Sequence, residues 1–454
     1  MDICKQVYLV VGMGKSGIAA AGLLNNHNCK VYLFDGNESI DLDEIRRKHE
    51  LDAKIELIKG TIPERVAAET TVLILSPGVP TDLPWILDMK QAGVTVWGEI
   101  ELAYLFGKGR IIAITGTNGK TTTTTLVGEI MKNAFQHVDV VGNIGIPYTE
   151  VVDAQYEDQV TVCEISSFQL ETIETFHPVV SAILNIQPDH LNRHHTMENY
   201  IAAKEAVALN QTKEDTCVLN YDNEDTRKFG QRCNASVVYF SSTQVLENGF
   251  FHREGKIFEA QNGNERELMK VTDMNLVGMC NVENVMAAIA MAKAMGVSED
   301  IILDTVRHFK AVEHRIEYVA TKNGVDYYND SKGTNPDAAI QGIKAMSKPT
   351  ILIGGGYDKG SEYDPWIEAF EGKVKLLVLI GVTREKIAEA ALRHGISQYV
   401  FADTFEEAFA ICVEHAEAGD AVLLSPACAS WGMFANYEER GHLFKKLVHE
   451  IVEQ

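Results

Sequence analysis

The apolar positions of this chain form short runs, each followed by a glycine-rich or polar loop and then by residues at helical spacing. The first run, residues 7–11, leads into Gly12-Met13-Gly14-Lys15-Ser16-Gly17 and a helical stretch; a second run at 31–34 ends at Asp35. That order reads as strand, turn, helix and strand. The pattern restarts after residues 97–110. Residues 111–114 are an apolar strand, a glycine turn follows, and Leu126, Val127, Ile130 and Met131 recur at helical spacing behind Lys120 and Thr121. This block continues through strand-like 160–165 and 179–185 to an Ala/Met-rich helix at 285–295. A third block opens near Val312, with strands expected at 326–329, 350–353, 376–380 and 421–424 and helical patterns between them. Strands alternating with helices predict an α/β protein with open, mainly parallel sheets and functional loops at the strand ends. Three domains are expected, at 1–97, 98–311 and 312–454, which suits a chain of 454 residues. There is no internal repeat.

Hydrophobic residues make up 46% of the chain and charged residues 23%, the balance of a soluble globular enzyme with a sizeable core. Lys and Arg number 41 against 64 Asp and Glu, a formal charge of −23 that argues against a nucleic-acid-binding surface. An anionic substrate must then be held by local groups and metal ions against the global field. Eight scattered cysteines, with no C-x-x-C pair, fit reduced cytosolic thiols better than a disulfide framework or a zinc site. No signal peptide or membrane-spanning run is seen, so a cytoplasmic protein without membrane insertion is expected.

The strongest chemical signal is RIIAITGTNGKTT, residues 110–122. Gly116 and Gly119 let backbone N–H groups approach a polyphosphate at the positive end of the new helix. Lys120 can reach the β/γ-phosphates and the Thr121 hydroxyl can ligate Mg²⁺. The earlier glycine of the standard phosphate loop is missing, since Ile114 holds that position. This shorter form points away from generic GTPases.

Glu164, at the end of a neighbouring strand, is suited to supply a second oxygen to a nucleotide-bound Mg²⁺, although alone it would read as a solvated loop acid. His190, beside Asp189, is a candidate ligand for a metal or a substrate carboxylate. Lys204 reads, on composition alone, as a helix-surface lysine. Three further loops, 330–336, 354–359 and 425–431, each follow a strand, and together they suggest a binding face at one sheet edge. In the first block, G-x-G-x-x-G with Asp35 downstream is also the fingerprint of a dinucleotide site.

Taken together, TGTNGKTT, EISSFQL, NIQPDHLNRH, YIAAK, the N-x-x-N of Asn281 and Asn284, HRIE, NDSKGTNP, GGGYDK and SPACASW resemble the Mur ligase family, in order and across all three blocks. SSFQL and SPACASW are most similar to the branch that adds D-glutamate to UDP-N-acetylmuramoyl-L-alanine. The resemblance implies a UDP-binding Rossmann-like domain, a central ATPase domain and a C-terminal Rossmann-like amino-acid-binding domain. It implies a ligation through an acyl phosphate with ATP and two Mg²⁺ sites, and small-molecule substrates only; a monomer is expected.

By the same resemblance, Gly116, Thr117, Asn118, Gly119, Lys120, Thr121 and Thr122 cradle the phosphates, and Thr121 and Glu164 hold one Mg²⁺. His190 and a carbamylated Lys204 serve the second metal or the reacting carboxylate. Asn281, Arg315, Asp330 and Lys332 serve ATP; Thr334, Lys359, Ser430 and the Tyr437 backbone serve D-glutamate. Lys15, Ser16, Asp35, Ser76 and Gly78 face the uridine nucleotide, and Asn143 contacts the same substrate. Two positions depart from the family pattern: Gly36 replaces a hydroxyl residue, and Gly432 stands where an acid is common. A folylpolyglutamate synthase shares the ATP domain but not the first block. An NAD-dependent oxidoreductase would leave the phosphate loop unexplained.

Overall fold

The computed structural model describes residues 3–310 and 312–452. The chain divides into two compact units, one of Met1–Met269 with Glu283–Val306 and one of Lys270–Val282 with Arg307–Gln454. The sequence pattern alone gave no sign that Lys270–Val282 groups with the C-terminal residues. The division falls within the single helix Met279–Ala294, where no break in periodicity marks it.

The first unit holds two sheets. The smaller runs Glu56–Lys59, Lys30–Asp35, Val7–Val11, Val72–Leu75, Thr95–Gly98 in spatial order, all parallel. Its central strand is continuously apolar because both faces are covered: Tyr8, Leu9 and Val10 have no exposure at all. The turn after it depends on glycine. Gly12 has φ +101°, and a Cβ on Gly17 would run into the Gly12 carbonyl oxygen, so the first helix could not seat against the loop.

The larger sheet has nine strands, in the order Asn264–Lys270, Lys256–Gln261, Gly249–Arg253, Ser236–Ser241, Thr216–Asn220, Val180–Ile183, Arg110–Thr115, Val160–Glu164, Val138–Gly142. Arg110–Thr115 lies in parallel between Val180–Ile183 and Val160–Glu164, so their following loops leave from one edge. The predicted parallel arrangement holds from Val138–Gly142 through Gly249–Arg253 and fails beyond. Gly249–Arg253 and Lys256–Gln261 are antiparallel, because Glu254 and Gly255 both take positive φ (50° and 74°) and fold the chain straight back.

The second unit carries a six-stranded sheet ordered Glu317–Lys322, Val325–Asn329, Ala421–Leu424, Thr350–Gly356, Val374–Gly381, Tyr399–Phe401. All neighbours are parallel except the first pair, a hairpin turned by Asn323 and Gly324 at φ 50° and 78°. Asn329 and Ile353 both register with Leu424, which brings the three loops singled out above to one edge. Trp366, Ile343 and Phe370 pack one face, and Phe405, Phe409 and Phe444 the other. Among the described residues no helix is long and apolar enough to cross a membrane.

Candidate active site

In the first unit the phosphate loop is shaped by its glycines. Gly116 has φ +153° and Gly119 +85°, and Lys120 opens the helix Lys120–Ala134 immediately after. The loop is tied to the neighbouring strand end: Thr117 N–H donates to the Asn185 carbonyl at 2.9 Å and Asn118 N–H to Asn185 Oδ1 at 2.8 Å. Lys120 folds back, its Nζ donating to the carbonyls of Gly116 (2.8 Å) and Thr117 (2.9 Å). Thr121 and Thr122 are buried at the first turn.

Lys204 corrects the reading from composition. It is not a surface lysine but 1% exposed, and its Nζ donates to the Gly116 carbonyl at 2.8 Å, beside Lys120. Burial, reinforced by the Lys120 charge, holds its ammonium well below the ordinary lysine range. The side chain also packs on the Tyr200 ring, whose hydroxyl is 3.0 Å from Thr117 Oγ1.

Glu164 is 2% exposed. Its Oε1 accepts from Asn143 Nδ2 at 2.8 Å, while its Oε2 is buried without a hydrogen bond. An uncompensated buried carboxylate oxygen is costly, and a divalent cation with hard-oxygen preference satisfies it. The residues therefore fit a Mg²⁺ ion. The SSFQL motif beyond it is a capping box: Ser166 Oγ accepts from Gln169 N–H and Gln169 Oε1 from Ser166 N–H.

His190 is exposed, in a left-handed conformation (φ 52°), its own N–H donating to Asp189 Oδ1. The sequence reading missed His194, one helical turn on. It is buried, with Nε2 2.9 Å from Ser167 Oγ and Nδ1 3.2 Å from Glu171 Oε1. The i, i+4 spacing of the two histidines was the available signal.

Around the smaller sheet, Lys15 and Gly78 are exposed and Ser16 and Ser76 partly buried. Asp35 is already engaged: Oδ2 accepts from Met13 N–H and Oδ1 from Asn37 N–H, both at 2.9 Å. Its carboxylate thus braces the glycine loop. A Cβ on Gly12 would lie 2.6 Å from Ser76 Oγ, so the two loops are in contact.

In the second unit Asp330 is buried, at 4% exposure. Oδ2 accepts from Ser425 Oγ at 2.7 Å and Oδ1 from Ile316 N–H at 3.3 Å. Burial outweighs these bonds and the nearby Arg315, pushing its carboxyl up to about 7. Arg440, which the sequence reading overlooked, is 1% exposed. Its guanidinium donates to Ser331 Oγ, to the Ser331 carbonyl and to the Cys428 carbonyl, joining two of the loops. Burial lowers it to about 10.

Lys332 lies over the Tyr437 ring, and the Tyr437 carbonyl accepts from Ser331 Oγ at 2.8 Å. Asn335 caps the helix Pro336–Lys344, with Thr334 just before it. Ser430 is buried, Arg315 partly so with its Nε making no hydrogen bond, and Lys359 is exposed. Asn281 bonds the Val277 carbonyl at 2.7 Å.

Comparison with known proteins places this geometry. Residues 6–98 match the Mur ligase MurD-like N-terminal domain, residues 114–292 the Mur ligase middle domain, and residues 314–428 the Mur ligase glutamate ligase domain. The chain is 55% identical over 454 residues to UDP-N-acetylmuramoylalanine--D-glutamate ligase of Lachnoclostridium phytofermentans, covering 100% of both. It is 56% identical over 452 residues to the protein of that name from Lachnospira eligens, covering 99% of this chain and 100% of the relative. Among solved structures, MurF ligase from Thermotoga maritima in complex with ADP aligns with TM-score 0.61 and 16% identity over 99% of each chain. UDP-N-acetylmuramate-alanine ligase MurC from the same organism aligns with TM-score 0.57 and 18% identity, covering 98% of this chain and 99% of the other. With a family-specific domain matched in each third of the chain and relatives identical at more than half of all positions from end to end, the chain belongs to the Mur ligase family.

Proposed function

We propose that the protein joins D-glutamate to UDP-N-acetylmuramoyl-L-alanine, converting ATP to ADP and phosphate, as a cytoplasmic, monomeric enzyme of three domains. The observation that carries this reading is the end-to-end identity with relatives named for that reaction. The paired lysines at the phosphate loop and the half-satisfied Glu164 carboxylate support it.

The chemistry follows from the substrates. A carboxylate is a poor electrophile until one oxygen becomes phosphate. The L-alanine carboxylate oxygen attacks the γ-phosphorus and ADP leaves; the D-glutamate amine then attacks the acyl carbon and phosphate leaves. The protein contributes mainly position and charge. Gly116–Thr122 backbone N–H groups and Lys120 take the phosphates on the positive helix end, which offsets the repulsion from a chain of net charge −23. Thr121 and Glu164 would hold Mg²⁺, with His190 and Lys204 at a second site, and a cation bound there would supply neutralisation of charge on the transferring phosphoryl group. The depressed ammonium of Lys204 favours a neutral amine able to take up CO₂, and the carbamate so formed is an anionic oxygen ligand. Asn281, Arg315, Asp330 and Lys332 bind the rest of ATP. Thr334, Lys359, Ser430 and the Tyr437 backbone receive D-glutamate, while Lys15, Ser16, Asp35, Ser76, Gly78 and Asn143 receive the UDP substrate.

Phosphate release should require ATP, UDP-N-acetylmuramoyl-L-alanine and D-glutamate together, and the UDP product should gain one glutamyl mass. Equal release without D-glutamate, or with a different amino acid in its place, would overturn the reading.

A further inference from the structure

The loops that follow Thr350–Gly356 and Ala421–Leu424 are fastened together at their outer ends. A Cβ on Gly356 would run into the Ala429 carbonyl oxygen, and the Tyr357 N–H donates to that same oxygen at 2.9 Å. The junction sets the Tyr357 and Trp431 rings edge to face, with centres 5.5 Å apart and planes at 62°. Both rings stay open to solvent, at 44% and 53% exposure. Of the four tryptophans only Trp431 is exposed. Lys359 lays its Nζ over the Trp431 ring, 4.9 Å from the centroid.

A lysine on a glycine-flanked loop has a long flexible stem, and fixing it falls on whatever binds its ammonium. An indole face attracts the cation through its quadrupole and leaves the charge intact. A carboxylate in that place would neutralise the ammonium and compete with an anionic ligand. The backbone after Trp431 fits this arrangement: Gly432, at φ +87°, takes the left-handed region that favours glycine. No carboxylate side chain follows the indole directly.

We propose that Trp431 is a positioning residue for amino-acid recognition: its indole face, buttressed by Tyr357, seats the Lys359 ammonium in advance for a carboxylate of the incoming amino acid. The inference rests on the assignment of Lys359 to D-glutamate made above. The seat lowers the ordering cost of binding, so its loss acts on KM and leaves the chemical step alone.

The test is steady-state kinetics of the full-length enzyme and of Trp431→Ala, Trp431→Phe, Lys359→Ala and the Trp431→Ala/Lys359→Ala double variant, all with unchanged melting temperature. Trp431→Ala should raise the D-glutamate KM about 3- to 30-fold, with kcat and the KM for ATP unchanged. Trp431→Phe, which keeps a ring face, should recover most of that loss. In the Lys359→Ala background the Trp431→Ala effect should vanish, and D-glutamate should change the wild-type tryptophan emission but not that of Trp431→Phe. An unchanged D-glutamate KM in Lys359→Ala would overturn the assignment of Lys359. A raised KM there, with no effect of Trp431→Ala or with effects that multiply in the double variant, would overturn the seat and leave the assignment standing.

Discussion

Lys120 and Lys204 converge on one oxygen: each Nζ lies 2.8 Å from the Gly116 carbonyl, although the residues come from different helices. Two like charges on one acceptor in a largely buried setting repel each other. Burial, with the Lys120 charge beside it, holds the Lys204 ammonium well below the ordinary lysine range and so favours loss of its proton.

The first prediction follows from that proton. Wild-type enzyme incubated with ¹³C-bicarbonate near pH 7.5 should show one carbamate carbon resonance that is absent from Lys204→Ala. Lys204→Ala should lose most activity and regain part of it with acetate, which supplies the missing oxygens. Normal activity of the variant in carboxylate-free buffer would refute the role.

Lys120→Ala removes the charge beside the transferring phosphate and should abolish measurable phosphate release. Affinity for the UDP substrate, read by calorimetry, should stay within a few fold, because all the residues proposed for it except Asn143 lie on the smaller sheet or its connections. The variant also removes the charge that helps hold Lys204 down, so the Lys204 amine should titrate at higher pH. Wild-type turnover would place ATP elsewhere.

Glu164→Gln keeps the shape of the side chain and its acceptor for Asn143 but loses the charge. We expect the Mg²⁺ concentration for half-maximal activity to rise at least tenfold, with little change in melting temperature in the absence of metal. An unchanged Mg²⁺ requirement would show that the unpaired Oε2 serves no cation.

Asp330 carries a pH prediction. Its folded value of about 7 lies above the 3.8 of a free aspartate, so between those values the folded state holds the extra proton. Stability contributed by this group is complete below the unfolded value and declines as pH rises through 7. The total is on the order of 4 kcal/mol at most, since each unit is worth 1.36 kcal/mol. Asp330→Asn should flatten that fall in denaturation midpoint between pH 4 and 7; an equally steep fall would assign it to other groups.

The two inner glycines of the first loop should behave differently. Gly17→Ala forces a methyl into the Gly12 carbonyl and should cost about 1–3 kcal/mol or more. Gly14 is extended and has no atom within 4 Å of an added Cβ. Gly14→Ala should leave stability within about 0.5 kcal/mol, so any loss of UDP-substrate affinity in that variant reports contact with the ligand. A thermal melt of each variant separates the cases.

Much of the framework was legible before the structure. Parallel strands buried on both faces are continuous apolar runs, so 111–114, 160–165 and 421–424 stood out. The antiparallel hairpins were missed although Glu254-Gly255, Asn262-Gly263 and Asn323-Gly324 carry the positive φ pairs that make them; the polar, mostly exposed residues of Asn264–Lys270 weakened the strand signal. The division near Lys270 was not legible, because it depends on which contacts a segment makes and not on its own periodicity.

By itself the sequence determined the elements, the glycine-dependent turns and the phosphate loop, since each is set by neighbours within a few positions: φ at Gly116 and Gly119, the cap at Asn335, the capping box of Ser166 and Gln169. Tertiary structure alone decided how the side chains are charged and occupied. Lys204 is a buried amine because it meets Gly116, 88 positions away. Asp35 braces a loop because it meets Met13 N–H, and Arg440 is enclosed because it bonds Ser331 and Cys428. Burial and pairing of a polar group depend on what the fold brings against it, and local spacing carries no record of that.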